Sequence, residues 1–106
     1  MPAEVRQRFG FALSLAQMGE RYEKTKILKG FSGAGVLEIL EDHIGDTFRA
    51  VYTVKFEEAV FVLHCFQKKS KSGIATPQPD MDIIRTRLKI ATARAEELRH
   101  HAKNNR

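Results

Sequence analysis

At 106 residues the chain suits one compact domain and is too short for two, and its 42% hydrophobic and 29% charged residues exclude global disorder. The longest apolar run, Ala59 through Phe66, is too short to cross a bilayer, the N-terminus lacks the apolar core of a signal peptide, and a single cysteine, Cys65, excludes an internal disulfide and the usual multi-cysteine zinc site. The net charge of +5 favours an anionic partner, nucleic acid being the commonest, so the expectation is a single domain over 1–106, cytoplasmic and without membrane contact.

In chain order, Pro2 to Met18 reads as a helix. Val5, Phe9, Ala12, Leu13 and Ala16 recur at spacings of three and four, and Gly19 is a stop signal. Phe11, Leu15 and Met18 widen its apolar face, so good cover is expected, while Gly10 is a misfit costing about 1 kcal/mol against alanine. The polar, then glycine-rich stretch 20–35 reads as loop. Val36–Asp42 and Phe48–Val54 read as strands joined through a turn at Gly45-Asp46. In the second, Phe48, Ala50, Tyr52 and Val54 point one way and Arg49, Val51 and Thr53 the other. Ala59–Phe66 is a third strand, apolar on both faces and so expected at a central position. From Pro79 to about His101 a second helix carries Met81, Ile84, Leu88, Ala91, Ala95 and Leu98 on one stripe. The predicted fold is α+β: an N-terminal helix, a three-stranded antiparallel meander and a C-terminal helix.

The glycines of "GFSGAG" (30–35) precede a strand rather than open a helix, so the mechanism of a phosphate-binding fingerprint is absent. Cys65, among strand-forming neighbours, reads as a small buried hydrophobe. His43 reads as a turn residue and His100-His101 as a solvated helix end; no metal site or cofactor is expected. His64, inside the apolar strand, is either a hydrogen-bonded structural histidine or a proton-transfer group at a cleft. Glu38 and Asp42 share a strand face without demanding an acid/base pair. Arg49, on one strand, and Lys68, Lys69 and Lys71, at the end of its neighbour, converge if the meander forms. Arginine forks and lysine point charges then make a phosphate site; the same lysines equally serve as a solvated rim that discourages edge aggregation. Both readings stand on the residues alone.

The segments "LKGFSGAGVLEI", "DTFRAVYTV" and "VLHCFQKKSKSGIATP", followed by an amphipathic helix, resemble the RelE/ParE toxin superfamily over residues 3 to 95, and most of all its HigB-like, phage-derived branch. The resemblance implies a twisted antiparallel sheet with helices on one face. It also implies a toxin of a type II toxin–antitoxin module, neutralised by a helix-turn-helix antitoxin. RelE and HigB types cut mRNA on the ribosome, whereas ParE types inhibit gyrase without cutting RNA. By position, Arg49 matches the arginine that contacts the scissile phosphate and Lys69 the basic position after the following strand, with Lys68 and Lys71 beside it. Clustered cations would stabilise the charge that builds up as the 2′-hydroxyl attacks its phosphate, and the lysines Lys68, Lys69 and Lys71 would also serve as proton-transfer groups. Three features depart from the family pattern. No strand precedes the first helix, so that strand is lost or supplied by another chain, or the start is misassigned. Glu38-Ile39-Leu40 lacks the arginine usual there, and no base-stacking tyrosine stands near 73–75. The rival expectation is a non-enzymatic ParE-like inhibitor or an inactive binding protein, and a homodimer is open in either case.

Overall fold

The computed structural model describes residues 1–31, 33–68 and 75–104. Helix α1 (Ala3–Gln17) is followed by strands β1 (Thr25–Ile27), β2 (Val36–His43), β3 (Asp46–Thr53) and β4 (Phe61–Lys68), then helix α2 (Gln78–Asn104). The strands pair antiparallel in the order β1-β2-β3-β4. The α+β class is as the sequence predicts, with four strands in place of three. The added strand, β1, lies within the stretch read as loop. Three residues are too few to show alternation, and pairing with Leu37–Ile39 makes them a strand.

The β2–β3 hairpin turns on Ile44 and Gly45, both at positive φ (49° and 80°). Paired positive-φ residues give the turn whose twist matches the flanking strands. This turn fixes the register, Leu40 opposite Arg49 and Glu38 opposite Val51. Between β3 and β4 the register slips at Val51/Tyr52. The extra residue, Leu63, is buried against α2, and its carbonyl accepts a 2.9 Å hydrogen bond from the Arg87 guanidinium. The bulge thereby bends β4 onto the helix.

Two cores lie on opposite sides of the sheet. Val5, Phe9, Ala12 and Ala16 of α1 pack with Leu37, Ile39, Phe48, Ala50 and Tyr52. On the other side Ile84 and Ala91 of α2 pack with Leu28, Val36, Val51 and Leu63. The strand alternation read from "FRAVYT" is the division between these cores, and the expectation of both helices on one face is overturned. Each helix has an apolar stripe of its own, and the two inner strands present buried apolar residues on both faces, so each face takes one helix. The stripe expected for α2 is buried at Ile84, Ala91 and Ala95 and partly buried at Met81 and Leu88.

Three further expectations are corrected. β4 is an edge strand, not a central one. Cys65, opposite Ala50 on the α1 side, is exposed rather than buried, because α1 lies over β2 and leaves β4 open. Phe11 and Met18 are exposed rather than covered, although the Phe11 ring meets Tyr22 edge-on at 6.0 Å. Among the described residues no helix is long and apolar enough to cross a membrane.

Candidate functional site

The strand register builds the site. Residues directly opposite on paired strands share a face, so Lys26, Glu38, Val51 and His64 form one row across all four strands on the α2 side. The adjacent row carries Leu40, Arg49 and Phe66. The start of α2 and the residues before it, Thr76 among them, lie over these rows.

Arg49 is only 3% exposed. Its Nη1 donates to Glu38 Oε2 at 3.1 Å and to Thr76 Oγ1 at 3.3 Å, and the threonine hydroxyl lies 3.4 Å from the same carboxylate oxygen. Lys26 Nζ stands 3.7 Å from the other oxygen, Oε1. Glu38 is fully buried, so its charge is tolerable only because Arg49 and Lys26 face it. Arg49 Nε and Glu38 Oε1 have no hydrogen-bond partner among the described residues, which leaves donor and acceptor capacity at this point.

His64 is fixed from both sides. Its Nε2 lies 2.8 Å from Asp80 Oδ1 in the first turn of α2, and Arg87 donates toward Nδ1 at 3.3 Å. Arginine has no acceptor, so this network assigns the proton to Nε2, which donates to Asp80. Phe66 stacks on the imidazole with centroids 4.8 Å apart. Beside Glu38, between β1 and the start of α2, a cleft of about 630 Å³ is lined by Lys26, Lys29, Glu38, Thr76 and Met81.

Of the residues singled out in the sequence, Arg49 and His64 share one face in adjacent rows. Lys68 ends β4 opposite Thr47, with its side chain outside the described part; Lys69 and Lys71 lie outside the described residues altogether. The residues that sequence reasoning missed are the partners: Glu38 for Arg49, Lys26 for Glu38, and Asp80 and Arg87 for His64. Only the first pair was within reach, since a hairpin turn placed at Ile44-Gly45 puts Glu38 and Arg49 diagonally on one face. Cys65 has its pKa pushed up by burial of the sulfur, against a smaller opposing pull from Arg87, although the residue as a whole is open to solvent.

A second polar cluster lies on the α1 side. Buried Glu41 accepts from the Tyr22 hydroxyl at 2.6 Å and from Arg8 at 3.4 Å, with Lys24 Nζ at 3.7 Å. The Glu41 hydrogen bond, ahead of desolvation and its charge, pushes the Tyr22 pKa up to about 12. Among the described residues no group of three or more histidine, cysteine or carboxylate side chains is arranged to hold a metal ion.

Neither a curated protein nor a solved structure matches the chain. Residues 1–89 match the family model described as "Phage derived protein Gp49-like (DUF891)". That match takes in α1, the whole sheet, Arg49, His64 and the first turns of α2, so the chain belongs to the Gp49-like family of phage-derived proteins.

Proposed function

We propose that this protein is the toxin of a type II toxin–antitoxin module, RelE-like and of the HigB-like branch, and that it cuts mRNA on the ribosome while a helix-turn-helix antitoxin holds it in check. The observation that carries the reading is the convergence of Arg49, Glu38 and His64 on one sheet face beside a lysine-lined cleft. In this reading the RNA backbone lies along the cleft, with Lys26 and Lys29 facing phosphates. The Glu38 carboxylate takes the proton of the attacking 2′-hydroxyl, and Arg49 faces the charge that builds on the scissile phosphate. His64 is the proton-transfer group for the departing 5′-oxygen: it donates as the imidazolium, reverting to neutral imidazole, once its Nε2 contact with Asp80 opens. Lys68, Lys69 and Lys71, which stand at and after the end of β4 in the sequence, supply further positive charge and proton-transfer groups. Arg49 is shielded by Thr76, so RNA must displace that contact.

One observation favours a second reading, a non-enzymatic inhibitor or binding protein: Arg49 is buried and already paired with Glu38. A buried arginine of this kind also serves structure alone.

Expression without the antitoxin, with mRNA ends mapped on translating ribosomes, separates the two. Arg49→Ala alone is a poor probe, since an unpaired buried Glu38 costs about 3–5 kcal/mol and unfolding alone would abolish toxicity. The double variant Glu38→Gln/Arg49→Gln removes both charges together. The expected result is a folded protein that no longer cleaves or arrests growth, and wild-type RNA binding that weakens steeply with salt. Growth arrest without new mRNA ends, undiminished in the double variant, would sink the nuclease reading.

A further inference from the structure

We propose that the outer edge of β1 is a docking site for an extended acidic segment of a partner protein, which pairs with it as a fifth strand. β1 is the terminal strand of the sheet. The bonds Leu28 N–H to Val36 carbonyl and Leu40 N–H to Lys24 carbonyl make residues 24 and 28 hydrogen-bonded partners of β2. In an antiparallel ladder such pairs alternate with pairs whose backbone groups point away. Residue 26 therefore bonds inward, and Ile27 directs its N–H and carbonyl outward. The Ile27 side chain is 66% exposed, an apolar anchor in the middle of an edge that no other strand among the described residues covers.

The charge beside this edge selects the occupant. Residues 20–29 carry Arg21, Lys24, Lys26 and Lys29 against only Glu20 and Glu23. Lys24 and Lys26 face Glu41 and Glu38, while Arg21 and Lys29 have no ion-pair partner among the described residues. Arg21 and Lys29 line an apolar groove with Ile27, Phe31 and Val54. A strand alternating acidic and apolar residues places its apolar side chains beside Ile27 and its carboxylates beside Lys26. A second copy of this chain is disfavoured, because pairing β1 with itself brings two sets of four cations together. The brevity of β1 limits the added strand to a few residues, so the partner gains selectivity from the flanking groove and charges.

The probe is a synthetic peptide of six residues alternating glutamate and valine, titrated calorimetrically, with amide exchange followed at Ile27. The expected result is saturable binding, with Ile27 exchange slowed at least tenfold. Replacing glutamate by lysine, or N-methylating alternate peptide amides, should weaken binding at least tenfold. The N-methylated control leaves the protein untouched, so its outcome does not depend on a variant folding. Ile27→Pro should also abolish binding, since it removes the apolar anchor together with an outward N–H that the sheet does not use. Equal affinity for the N-methylated peptide or for the lysine peptide would overturn the proposal, as would self-association that protects Ile27 without any peptide. An RNA oligonucleotide that protects the Ile27 amide as well as the peptide does would overturn it too. Lys26 and Lys29 also face RNA in the toxin reading, but none of these readouts involves mRNA cleavage, so failure of the docking site is distinguishable from failure of that reading.

Discussion

Ile44 is the residue least suited to its place. It sits at the tip of the β2–β3 hairpin with φ +49° and 89% of its surface exposed. A left-handed conformation costs a β-branched residue about 1–2 kcal/mol, and this turn prefers asparagine or aspartate before glycine. Burial gives back almost nothing. Ile44→Asn is therefore expected to stabilise the fold by about 1 kcal/mol and raise the thermal midpoint by roughly 4–8 °C. An unchanged or lower midpoint would show that the isoleucine has a stabilising contact elsewhere. Tyr22 supplies a pH test. Its folded pKa of about 12 lies above the ordinary value of 10.0, so its stabilising contribution is complete below pH 10 and lost as pH rises from there through 12. Ultraviolet titration of the phenols should find Tyr22 ionising near the upper value. Glu41→Gln should bring it back toward the lower one, because a neutral acceptor holds the phenol proton less tightly. At this scale the sequence marked Arg49 and His64 but not their partners. Thr76 and Asp80 reach them from distant segments, and no local pattern announces such a meeting.

At the level of elements, α1, α2 and the β2–β3 hairpin were legible because each carries its own period. The buried stripe Val5, Phe9, Ala12, Ala16 is the stripe the spacing predicts. β1 was illegible because its three residues exist as a strand only through the register of β2. The place of β4 was misread for a related reason: apolar residues on both faces suggest a central strand covered on at least one side. α2 does cover one side, yet the strand lies at the edge with its other face open at Val62 and Cys65. The same elements carry a test in Gly10, an exposed glycine inside α1. A Cβ built there meets no atom within 4 Å. Gly10→Ala should thus recover most of the helix-propensity difference, about 0.8–1 kcal/mol, with no packing cost. Chemical denaturation measures it, and a destabilised variant would mean that α1 needs backbone freedom at this position.

Over the whole molecule, one sheet separates two cores with different owners. α1 answers for the side that holds Glu41 and Tyr22, and α2 for the side that holds Arg49, Glu38 and His64. Among the described residues, access to the candidate site therefore depends on α2 and on Thr76 just before it. The helix is held at its start by Asp80 on His64 and by Arg87 on Leu63, and along its stripe by Ile84, which is fully buried. Ile84→Ala removes the largest fully buried side chain that α2 contributes, at an expected cost of about 2–5 kcal/mol. Because α1 packs on the other face, the loss should not be shared evenly. Hydrogen exchange should show amides of α2 losing protection before those of α1, as one cooperative unit opening while the other stays closed. Equal loss in both helices would mean that the cores unfold together and that the sheet transmits the defect. If α2 opens alone, the helix that completes the fold also controls when a ligand can reach Arg49.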